Sequence, residues 1–213
     1  MKGMPTSAMR SDKNKRSVLG NLKADEALDV LHHLLETHPN LKKEAESVAR
    51  SLLGEVNFEE IADEVQAAVS ALDFDDLNAR AGHHEQGYVE PSEAAWEILE
   101  EAVEPFTADI KRRLELGLEA DALEICKGTV LGLYRASHSG GGPVTEWAPD
   151  FPAEAAGNAI DAWLAPGPKG KADRSGPKLK ERKRPAFPQK FVDKEVPEWS
   201  EMIERMVGRS KTK

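Results

Sequence analysis

Cysteine is nearly absent: Cys126 stands alone among 213 residues. A single thiol forms no intrachain disulfide and no multi-cysteine zinc site. No apolar run approaches the roughly 18 residues that a transmembrane helix needs, so no membrane role is expected. Met1 to Lys23 holds no apolar stretch of the kind found in a secretory signal. These absences lead to an expectation of a soluble chain in the reducing cytoplasm. Period-2 alternation is also missing and β-branched residues are scattered, which argues against strands. Gly140-Gly141-Gly142 runs into Pro143 and not into Lys-Ser/Thr, so it fails as a phosphate loop. No catalytic motif stands out, and the chain reads as non-enzymatic, with no cofactor and a small-molecule ligand not expected.

What is present is charge and helical period. Charged residues make up 31% and hydrophobic ones 39%, with a mean hydropathy of −0.55. The net charge of −9 is unevenly spread. Residues 1–23 carry six basic groups against Asp12, and residues 165–190 carry nine against Asp173 and Glu181. Residues 191–213 balance, which leaves −21 on 24–164. An acidic body is therefore flanked by a basic arm and a basic linker. Basic arms attract nucleic acid, and they also fold back readily on acidic surfaces.

Apolar spacing places the helices. Leu28, Leu31 and Leu35 start a helical stripe that His38-Pro39 ends, because a residue before proline leaves the α region. Leu41, Ala45, Val48 and Leu52 stripe a second helix capped by Gly54. Asn57 opens a third, with Glu60 placed as in a capping box. Asp73 to Arg80 reads as a short helix, and residues 81–91 as a loop. Trp96, Leu99, Val103, Phe106, Ile110 and Leu114 keep one phase through Pro105, up to Gly117. A helix over 120–136 and a loop over 137–152 follow, with Trp147 and Phe151 expected to anchor inward. The last core helix is 153–164. Four segments result: a basic flexible arm 1–23, an acidic all-α domain 24–164, a basic Pro-rich linker 165–190, and a short amphipathic helix within 191–213. The fold class is all-α, with antiparallel helix pairs in a HEAT-like stack or an irregular bundle and the basic arm and linker disordered.

Candidate sites are few. Trp199, Met202, Ile203 and Met206 stripe the tail helix, which either docks on its own core or anchors in a partner's groove. Lys178, Lys180, Arg182, Lys183 and Arg184 form the densest cationic run, suited to phosphate contacts. His83, His84 and Glu85 have metal-ligand chemistry, yet adjacent histidines diverge on a helix and no His-Glu motif of the right spacing exists, so no metal is assigned. Cys126 sits on an apolar stripe and reads as a buried structural thiol. Gly128 and Gly132, four apart, suit a close helix crossing. The preferred function is a helical adaptor acting through protein–protein contacts or self-association, with the tail as its interaction element. The alternative is a nucleic-acid-associated protein using the arm and the 165–190 linker.

The segments LGNLKADEALDVLHHLLE, GYVEPSEAAWEILEEAVEPF, LGLEADALEICKGTVLGLY and EWAPDFPAEAA carry a resemblance over Asn21 to Trp163. They look like an uncharacterised prokaryotic all-helical family, and loosely resemble the helical region beside SWIM zinc fingers. A SWIM finger needs several cysteines, and this chain has one. The matching positions, Tyr88, Pro91, Trp96, Gly117, Tyr134 and Trp147, are packing residues. The resemblance therefore implies a shared helical fold and no particular chemistry.

Overall fold

A computed structural model describes residues 18–85, 87–139, 141–165 and 187–210. The fold is all-α: the described residues form helices with one two-stranded exception. The chain divides into two compact units, ending and beginning at Gly54 and Glu55. Gly54 ends its helix at φ 73°, a left-handed conformation that only glycine adopts without strain.

The first unit holds a 3-10 turn Val18–Asn21, helix α1 (Ala24–Thr37), a second 3-10 turn Pro39–Leu41 and helix α2 (Lys42–Leu53). The Val18–Asn21 turn lies in what the sequence assigned to a flexible arm. Glu26 reaches back to accept the Lys23 backbone N–H at 2.9 Å, which closes the start of α1. Both helices pack on the Pro39–Leu41 turn, and they do not run alongside one another. No residue of either helix is buried.

The second unit is built around one helix. It contains α3 (Phe58–Ser70), α4 (Phe74–Arg80), strands β1 (Gly82–His84) and β2 (Gly87–Val89), α5 (Pro91–Glu115), α6 (Glu119–Ser139), α7 (Phe151–Leu164), α8 (Gln189–Glu195) and α9 (Ser200–Ser210). Helix α6 buries Ala122, Ile125, Cys126, Val130, Leu131 and Leu133 among others, the wide apolar surface that a central helix needs. Helices α3, α5 and α7 pack around it. Gly128 and Gly132 let α3 come close: a Cβ on Gly128 would lie 2.5 Å from Ile61 Cβ and 2.7 Å from the Phe58 carbonyl oxygen. Asn57 caps α3 by accepting the Glu59 N–H at 2.9 Å, one residue short of the capping-box bond. Asp73 caps α4 by accepting the N–H groups of Asp75 and Asp76.

Three expectations need correction. Residues 82–89 pair as an antiparallel hairpin, with His83 opposite Tyr88 and His84 opposite Gly87. Gly82 and Gly87 supply positive φ at its ends. Helix α8 (Gln189–Glu195), which begins inside the expected linker, had no counterpart in the sequence reading. Phe151 is buried as expected, whereas Trp147 is 47% exposed. Pro105 lies within a continuous α5.

Candidate functional site

The predicted tail anchors are used within the chain. Ile203 is buried, while Trp199, Met202 and Met206 are half-buried. Trp199 meets the Tyr134 ring of α6 edge-on, centroids 5.2 Å apart. Met206 lies over Gly157 of α7, where a Cβ would approach its terminal methyl to 2.7 Å. The sequence reading missed the stronger anchors just before them. Phe187, Phe191, Val192 and Val196 are all buried. Their rings extend an edge-to-face chain: Trp163 to Phe187 at 6.0 Å, Phe187 to Phe191 at 5.9 Å, Phe191 to Phe58 at 5.7 Å. Lys127 sits 4.1 Å above the Phe58 ring and pairs with Glu124 at 2.8 Å, a desolvated cation–π arrangement. The signal for this docking was available, since aromatics are scarce and two of six phenylalanines lie at 187 and 191.

A polar cluster closes the same junction. His138, at the end of α6, places Nε2 2.6 Å from Glu198 Oε2, just ahead of α9. Its Nδ1 lies 2.8 Å from the Tyr134 carbonyl oxygen and 2.9 Å from Ser137 Oγ. Ser137 Oγ itself donates to that carbonyl at 2.8 Å. The set superficially resembles a nucleophile, base and acid. However, a carbonyl can only accept, so Nδ1 carries a proton toward it and cannot take one from Ser137. The Glu198 carboxylate and the Tyr134 carbonyl both favour the imidazolium and raise the His138 pKa above its ordinary 6.5. The cluster is a hydrogen-bonded latch on an exposed helix end.

The other candidates are accounted for by the fold. His84 Nε2 donates to the Arg80 carbonyl at 2.7 Å, and His83 packs on the Tyr88 ring. Adjacent strand residues face opposite ways, so the two imidazoles separate. Among the described residues no three His, Cys, Asp or Glu side chains converge to hold a metal ion. Cys126 is fully buried with its thiol 3.5 Å from the Ala159 carbonyl, and burial pushes its pKa far up. Arg113 is buried between Asp109 and Asp121. The cationic run Lys178, Lys180, Arg182, Lys183 and Arg184 lies outside the described residues, as do residues 1–17 of the arm and 166–186 of the linker. Exposed Trp147 borders an open cleft of ≈ 570 Å³ with Trp96, Glu93, Glu97 and Asp150. Glu97 there is already paired with Arg80 at 3.0 Å.

Exposed apolar surface among the described residues concentrates in the first unit. Among the described residues, eight of twelve exposed large hydrophobics lie between Val18 and Leu52. Leu28, Leu31 and Leu34 on α1 are 51%, 44% and 44% exposed. Leu41 in the turn before α2, and Val48 and Leu52 on α2, follow at 36%, 53% and 82%. The second unit shows only Phe74, Tyr88, Leu116 and Trp147, each isolated in sequence. Scattered exposed apolar residues are ordinary, whereas a contiguous stripe marks an interface.

No family model, curated protein or solved structure matches the chain. No helix among the described residues is long and apolar enough to cross a membrane.

Proposed function

We propose that this protein is a non-enzymatic helical adaptor that works through protein–protein contacts made by α1 and α2. The observation that carries this reading is the paired leucine stripe of residues 18–54, in which neither helix buries a residue. Two short helices without a core are marginal on their own. Covering their apolar faces with a partner supplies the missing burial, at about 1.5–3 kcal/mol for each fully covered leucine. The tail then serves the second unit, because its aromatic and aliphatic anchors are occupied by α6 and α7.

A photo-cross-linking residue placed at Leu31 tests the reading against the same residue at Glu46, on the charged face of α2. A polypeptide adduct formed from Leu31 and not from Glu46 supports it. Equal or absent adducts from both positions count against it. The nucleic-acid reading rests on the basic charge of 1–23 and 165–190 alone. It predicts binding that disappears in a 1–164 truncation and weakens steeply with salt.

A further inference from the structure

We infer that the partner of the α1–α2 stripe is a second copy of this chain, with α1 of one copy lying on α2 of the other. This rests on the adaptor reading above and narrows it. Three observations lead to it. Heptad-like spacing occurs on both helices: 28, 31 and 35 on α1, and 45, 48 and 52 on α2, in step with Leu41 of the turn before it. Alternating steps of three and four make a seam that packs on another helix and not on a flat surface. Within one copy the two helices do not run alongside each other, so neither covers the other's exposed Leu28, Leu31, Val48 and Leu52. The described surface of the second unit carries no comparable stripe, leaving the two seams as the best-matched apolar partners for one another.

Charge selects the pairing. Helix α1 carries Asp25, Glu26, Asp29 and Glu36, with no lysine or arginine. Helix α2 carries Lys42, Lys43 and Arg50 against Glu44 and Glu46. By the same spacing Asp25 flanks the α1 seam and Lys42 flanks the α2 seam, while α1 on α1 would bring two wholly acidic helices together. Setting α1 on α2 opposes unlike charge, and a two-fold axis then makes the contact twice, with both seams of both copies covered. Splayed helices suit this reciprocal exchange, since neither has to leave an existing packing.

Sedimentation velocity on the full chain across the micromolar range reads the result directly. A reversible dimer is expected. Leu31→Glu and Val48→Glu should each raise its dissociation constant by about 100-fold or more, because each charge enters the seam twice. Lys42→Glu with Lys43→Glu, which keeps good helix formers, should weaken the dimer and leave the helical circular dichroism unchanged. Orientation is read by thiol chemistry, since Cys126 is buried and its thiol is held protonated. A mixture of Leu31→Cys and Val48→Cys chains should oxidise to a linked pair faster than Leu31→Cys alone. A chain that stays monomeric overturns the inference, as does a dimer that these variants leave intact or faster linking of Leu31→Cys to itself. A monomer that still gives the Leu31 adduct with another polypeptide removes the self-pairing and retains the adaptor reading.

Discussion

A single methyl group on Gly128 should destabilise the second unit by about 2 kcal/mol, while the same change at Gly157 should be nearly neutral. Both glycines are buried in helices, and both would place a Cβ too close to a neighbour. The neighbours differ. At Gly128 the new atom meets Ile61 Cβ at 2.5 Å and the Phe58 carbonyl oxygen at 2.7 Å. Neither is free to move, so α3 must shift away from α6. Overpacking costs roughly 1–3 kcal/mol, and three contacts under 3 Å to atoms that cannot swing away put this site at the upper end, about 3 kcal/mol. Replacing a helical glycine by alanine returns up to about 1 kcal/mol, which leaves about 2 kcal/mol against folding. At Gly157 the contact is the Met206 terminal methyl at 2.7 Å, and a rotation of that flexible side chain relieves it for about 0.5–1.5 kcal/mol. The alanine gain offsets most of that. Urea unfolding followed by tryptophan fluorescence, with the slope checked for constancy, measures both variants. A Gly128→Ala chain as stable as the parent, or a Gly157→Ala chain equally damaged, would refute the reasoning about backbone against side-chain contacts.

The docked tail yields further expectations. Phe191→Ala removes edge-to-face contacts with Phe58 and Phe187 and should cost about 3 kcal/mol; faster hydrogen exchange over 187–210, with α6 still protected, would show it, and unchanged exchange would sink it. Because Glu198 and the Tyr134 carbonyl raise the His138 pKa, the latch contributes fully below pH 6.5 and is lost as pH rises through the raised value. Tail protection should therefore fall on going from mildly acidic to alkaline solution, and Glu198→Gln should flatten that slope; an identical slope in the variant contradicts the latch. Cys126 should react with a disulfide reagent only on unfolding, since its thiol is buried and hard to ionise, and stoichiometric labelling of the native chain would show the core to be wrongly described.

Much of the helix layout was legible because stop signals are local. His38-Pro39, Gly54, Asn57 and Gly117 act on their own backbones, and the boundaries near them follow from the sequence. The Gly128 and Gly132 crossing was legible too, since small residues four apart leave few other uses on a buried helix. The hairpin of Gly82–His84 and Gly87–Val89 was not, because strands of only three residues are too short to show an alternation. Helix α8 was hidden by its surroundings: Phe187 and Phe191 stand in a proline-rich, basic stretch whose composition resembles a linker. Trp147 shows the limit of reading an aromatic in a loop as an inward anchor. The division at Gly54 was concealed by similar acidic, amphipathic pattern on both sides. A stripe reports that a helix has an apolar face and is silent on what covers it. That is why Trp199, Met202, Ile203 and Met206 read as partner anchors while they pack on their own chain, and why Leu28 to Leu52 read as ordinary core.

That contrast is open to one direct measurement. Photo-cross-linking residues at Val48 and at Met202 should be compared side by side in the full-length chain. The account predicts intermolecular adducts from Val48 and only intrachain products from Met202. Intermolecular adducts from Met202, with none from Val48, would contradict it and return the tail to the role of interaction element.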